Sequence, residues 1–200
     1  MKFNFMPSVE ELIRELRMAL KKDDDELRKE VERIVRKYGR RRKKGSFEMK
    51  AGEAYYINEK NSKYAIKIFQ QILDRGLNGL YITRINPQTL EFANQDNAKV
   101  VWLSSIRGKD RISPGDLTKI HATVVEFMKE NEKGVVVLDG IETMITNTNF
   151  VKVLHLLQKL RDVVSENHGV LLISIDLDTL NPQDRALFKR EIMNEIPLKI

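Results

Sequence analysis

Gly134-Val135-Val136-Val137-Leu138-Asp139 opens on a glycine, runs through four apolar residues without alternation, and ends on a carboxylate. A strand with one face in water alternates polar and apolar side chains. An unbroken run of this kind suits a strand covered on both faces, as in a parallel sheet between layers of helix. Val170 to Ile173, entered through His168-Gly169, repeats the signature. Between the two runs, Asn149 begins an expected helix to about Glu166.

Working outward, Asp116 caps a helix running to about Asn131, and Pro182 stands near the start of a last helix to about Asn194. Upstream, Ala54 to Ile57 is a short strand, and Ser62 to Arg75 is a helix stopped by Gly76. Gly79 to Thr83 is a strand closed by an Asn86-Pro87 turn, and Val100 to Leu103 is another. Strands alternating with helices predict an α/β domain with a parallel sheet and helices on both faces.

In such sheets ligands bind beyond the carboxyl ends of the strands. Those ends carry Asn58 and Glu59, Thr83 and Arg84, Ser104 and Ser105, Asp139 and Gly140, and Ser174 and Asp176. An aspartate after an apolar strand is where a nucleotide enzyme holds magnesium. The same residue in that place also caps the next turn. The first strand-to-helix turn separates the two. A phosphate loop needs glycines, a lysine for the terminal phosphates and a serine or threonine for the metal. Asn58-Glu59-Lys60-Asn61-Ser62-Lys63-Tyr64 contains no glycine, and Glu59 repels a polyphosphate. No nucleotide or other cofactor is expected, and no hydrolysis of ATP.

Gly52-Glu53-Ala54-Tyr55-Tyr56-Ile57, Gly79 to Arg84 with Pro87, Val101-Trp102-Leu103-Ser104, Pro114-x-Asp116-Leu117 and Val136 to Glu142 together resemble an archaeal family, domain of unknown function 835. The resemblance covers about residues 50–195. More distantly the layout is similar to the RecA-like ATPase core of KaiC-type proteins, implying a three-layer RecA-like core with a degenerate phosphate loop. In that alignment Asp139 falls at the magnesium-site aspartate. Thr83-Arg84 falls at the end of the second strand, where such enzymes place catalytic glutamates, yet Ile85 and Asn86 follow here.

Of the 200 residues 42% are hydrophobic, enough for a core, and there is no cysteine for a disulfide or thiolate metal site. His121, His155 and His168 are widely spaced, with no ligand partner at i+4. No secretory signal or membrane-spanning run is read, so the expected setting is cytoplasmic. Charged residues at 32%, rich in Lys, Arg and Glu, suit a thermophile.

The formal charge of +6 is unevenly placed. Residues 1–50 hold 16 Lys and Arg against 10 Asp and Glu, while residues 51–200 hold 19 of each. Arg36, Lys37, Arg40, Arg41, Arg42, Lys43 and Lys44 put seven cations into nine residues. Such a block neutralises phosphates and contacts nucleic acid without sequence preference. The plainer reading, which weighs somewhat more, is a solvated helix end or linker. Before it, Ser8 with Glu11 makes a capping box, and apolar stripes over residues 8–40 predict a helical hairpin or one long bent helix. The expected division is a helical, basic extension over residues 1–45 and an α/β domain over residues 46–200.

Three functions fit these residues. One is a non-catalytic module acting through protein contacts, as a regulator or scaffold. Another is a nucleic-acid-binding protein using residues 36–44. The third is an enzyme or small-ligand binder at the strand ends, with Arg84 clamping an anion and Asp139, Glu142 and Asp176 as bases or metal ligands. Against the third, Arg84 and Asp139 pair with each other or cap backbone. Self-association follows if the N-terminal stripes pack on a second subunit.

Overall fold

The computed structural model describes residues 2–3, 26, 29, 31 and 48–198. The chain divides into two units, residues 1–48 and 49–200. In the first, Glu26, Lys29 and Val31 are helical. The rest of the expected helical segment, and the basic block from Arg36 to Lys44, lie outside the described residues.

The second unit is α/β. Its elements are β1 (Glu53–Asn58), α1 (Lys63–Leu73), β2 (Gly79–Thr83), β3 (Ala98–Leu103), β4 (Arg111–Ile112), α2 (Leu117–Glu130), β5 (Val135–Asp139), α3 (Ile141–Asn147), α4 (Phe150–Glu166), β6 (Val170–Ile175), α5 (Pro182–Glu191) and β7 (Asn194–Glu195). The strands form one seven-stranded sheet in the order β4-β3-β2-β5-β6-β1-β7, and every pairing is parallel. Every residue of β2, β5 and β6 is buried, as the unbroken apolar runs require.

Period-two alternation divides the sheet's side chains between two layers. Leu80 and Ile82, Val136 and Leu138, and Leu171 and Ile173 join Ile120, Val124, Leu156, Leu160 and Phe188 in one core, so α2, α4 and α5 cover that face. The alternate residues face α1. There Phe69 stacks edge-on against Tyr81 at 5.0 Å and against Phe92 at 4.8 Å. Gly79 starts β2 directly under the Phe69 ring, where a Cβ would collide with it. The three layers are consistent with a RecA-like core.

The caps follow the local sequence. Asp116 accepts from the Lys119 N–H at 3.0 Å, and Asn149 from the Lys152 N–H at 2.9 Å. The last helix ends at Glu191, shorter than the sequence suggested. Asn194 and Glu195 instead pair with Tyr55 and Tyr56 as a seventh strand. No described helix is long and apolar enough to cross a membrane.

Candidate functional site

Parity and register assemble the site. Ile57 pairs with Ser174, and Asp139 with Ser174. Thr83 follows Ile82, which pairs with Leu138. Thr83, Asp139 and Ser174 therefore lie side by side at the carboxyl ends, all on the face toward α1. Glu59, two residues beyond Ile57, joins them. All four are buried.

A buried carboxylate has to be hydrogen-bonded, because desolvating an unpaired charge is costly. Glu59 accepts from the N–H groups of Tyr64 at 2.8 Å and Ala65 at 2.9 Å, and from the Ser174 hydroxyl at 3.1 Å. Tyr64 and Ala65 stand in the first turn of α1, where N–H groups lack helical partners and the dipole favours an anion. The chain's own carboxylate fills that seat.

Ser62 precedes α1 with φ 53°, left-handed and unusual for a serine, and makes no capping bond of its own. Its hydroxyl instead donates to Asp139 Oδ1 at 2.7 Å. Thr83 donates to Asp139 Oδ2 at 2.6 Å. Both Asp139 oxygens are thereby engaged, and Ser174 links the two halves with Oγ 3.4 Å from Ser62 Oγ. Burial pushes the neighbouring Tyr81 hydroxyl well above its ordinary value, and the carboxylates of Asp139 and Glu59 push it the same way.

The four residues singled out from the sequence divide. Asp139 belongs to this cluster. Glu142, in the first turn of α3, accepts from the Asp176 N–H at 2.7 Å. Burial raises its carboxyl above the usual range; the Asp176 N–H opposes this, while Asp139 and Asp176 add to it through their charge. Asp176 accepts from the Asp178 N–H at 3.0 Å and so starts a short turn of helix. Arg84 has the opposite parity to Thr83 and turns away, donating to the Leu103 carbonyl. It forms no ion pair with Asp139. Gly140, at φ 95°, leaves room for it, since a Cβ there would meet Arg84 Cγ at 2.8 Å.

Glu59 as the cap of α1, supported by the Ser174 hydroxyl, and Asp139 held by the hydroxyls of Ser62 and Thr83 are what sequence reasoning did not assign. The available signal was the carboxylates Glu59 and Asp139 and the hydroxyls of Thr83 and Ser174 at strand ends, with Ser62 in the turn before α1. Among the described residues, no group of three or more His, Asp and Glu side chains is placed to hold a metal ion.

The domain is thus a parallel α/β fold whose strand-end carboxylates Glu59 and Asp139 are satisfied by its own backbone and hydroxyls. Residues 58–192 match the family described as Protein of unknown function (DUF835), and the chain belongs to that family. No curated protein matches the chain.

Proposed function

We propose that the chain is a non-catalytic module, RecA-like in layout, that acts as a regulatory or scaffolding protein through protein contacts. The observation that carries this reading is the Glu59 carboxylate on the first-turn N–H groups of α1. A bound phosphate requires those donors. To reach them it has to displace a buried carboxylate and meet the negative charge of Asp139 beside it. Asp139 in turn is held by Ser62 and Thr83 on both oxygens, an arrangement that suits a structural tie. A cytoplasmic setting, an archaeal and heat-adapted source, and self-association through the N-terminal segment are parts of the same proposal. Calorimetric titration with magnesium and ATP, followed by a phosphate-release assay, tests it. The expected result is no saturable heat and no turnover. Turnover above that of Asp139→Asn, which keeps the side chain's shape, refutes it.

A second reading rests on the seven cations between Arg36 and Lys44. If that block contacts nucleic acid, affinity falls steeply with salt, and Ala at Arg40, Arg41 and Arg42 together weakens binding for all sequences alike. Unchanged binding by that variant rejects the reading.

A further inference from the structure

The sheet has one edge that its own chain leaves partly open. β4 pairs with β3 at Trp102 and Leu103 alone. On this side the Trp102 N–H donates to the Asp110 carbonyl at 2.8 Å and the Ser104 N–H to the Ile112 carbonyl at 2.9 Å. Even-numbered residues of β3 therefore point their backbone groups outward, and the odd ones point toward β2. The Ala98 N–H is taken by the Gln95 carbonyl at 2.9 Å. The ladder on the outer side stops at Trp102, so Val100 presents its N–H and carbonyl to the edge, with the Ala98 carbonyl beside them.

A groove of about 820 Å³ runs along this edge. Consecutive residues Ala98, Lys99 and Val100 line it, so it follows the strand's margin as well as one face. Leu90, Trp102 and Ile106 supply apolar wall, and Ile106 is 67% exposed. Lys99, Lys109 and Arg111 also line it, against one carboxylate, Asp110. Arg111 lies over the Trp102 ring at 4.6 Å. Gly108 makes room for that side chain, since a Cβ there would crowd Arg111 Cδ and Nε at 3.0 Å.

We propose that this edge docks an extended, acidic peptide segment of a partner protein, which adds a strand beside Ala98–Val101. Backbone hydrogen bonds to Val100 and Ala98 supply affinity, the apolar wall takes alternate side chains, and the cations select acidic ones. A second copy of this chain is disfavoured at the same place, because it brings the same three cations to the edge. The inference rests on the protein-contact reading above and names its surface.

Trp102 is the chain's one tryptophan, so its fluorescence reports on the groove directly. The full chain is titrated with a panel of end-capped peptides of about six residues, strand length, in which glutamate alternates with valine, isoleucine or threonine. Parallel titrations use the same peptides with lysine for glutamate, peptides N-methylated on alternate backbone amides, a single-stranded oligonucleotide, and magnesium with ATP. The expected result is a saturable change with acidic peptides that is about tenfold weaker with the lysine versions and absent after N-methylation. A K109A/R111A double variant, checked for fold by circular dichroism, loses the same factor. No saturation across the acidic panel overturns the proposal, as does equal binding after N-methylation. Saturation by the oligonucleotide in place of the peptides overturns it in favour of a nucleic-acid surface. ATP turnover in the phosphate-release assay above sinks the non-catalytic reading, and a saturable acidic-peptide signal beside it still supports the docking edge.

Discussion

The carboxyl ends of β1, β2, β5 and β6 and the outer edge of β3 are both places where an α/β sheet has polar groups to offer, and this chain treats them oppositely. At the carboxyl ends, Glu59 and Asp139 accept five hydrogen bonds from Tyr64, Ala65, Ser174, Ser62 and Thr83. At the edge, Val100 presents backbone groups that the ladder does not reach. Buried polar groups are expensive unless paired, so the first region is a tie within the fold. Exposed backbone groups are solvated at little cost and remain available to a partner. The usual place for a ligand is thus tied within the fold, while backbone groups at a margin of the sheet stay open.

The largest break in this contrast is expected from Asp139→Ala. It strips both hydroxyls of their acceptor and releases Ser62 from its left-handed backbone, so unfolding stability should fall by about 3 kcal/mol. A lower urea midpoint at unchanged slope is the signature of that loss. A change within about 0.5 kcal/mol would show that Asp139 is no tie.

Glu59→Ala should have a smaller effect, about 1–2 kcal/mol, the usual cost of a lost helix cap. Because it frees the Tyr64 and Ala65 N–H groups, inorganic phosphate should raise this variant's thermal midpoint more than that of the unaltered chain. Equal shifts for the two proteins would argue that Glu59 does not occupy an anion seat.

Glu142 sharpens the comparison through pH. Its folded-state carboxyl titrates above the ordinary value of 4.5, chiefly through burial. In the window between the two values the folded state binds more protons than the unfolded one, so stability falls as pH rises through it. Glu142→Gln should remove that component. Thermal midpoints measured from pH about 4 to 7 should then decline less steeply than those of the unaltered chain; parallel curves would contradict the assignment.

The smallest effect belongs to the edge. Arg111→Ala loses one half-buried stacking contact with Trp102, and stability should stay within about 1 kcal/mol. A loss comparable to that of Asp139→Ala would mean that the edge is structural and not poised for a partner.

Much of the sheet was legible because its signals are local. Val135 to Leu138 announces a strand buried on both faces, and Asp116 and Asn149 mark helix starts through bonds to N–H groups three residues away. Three elements were not legible. β4 and β7 are two-residue strands that exist through pairing with distant chain, and α3 is a seven-residue helix entered from Gly140 in the left-handed region. At the site, the sequence showed that the glycines of a phosphate loop are missing. It did not show what replaces them. The Ser62 hydroxyl finds its acceptor in Asp139, 77 residues away, and the carboxylate that caps α1 is also held by Ser174, 115 residues from Glu59.

The central claim, that the chain's own Glu59 carboxylate closes the anion seat at α1, is tested most directly at the two amides it holds. Nitrogen-15 resonances of Tyr64 and Ala65 can be followed while magnesium with ATP, and separately inorganic phosphate, is added to the full chain. The account predicts that neither amide moves beyond the scatter of surface residues. A concerted, saturable shift of both would show that a phosphate displaces the carboxylate, and would contradict it.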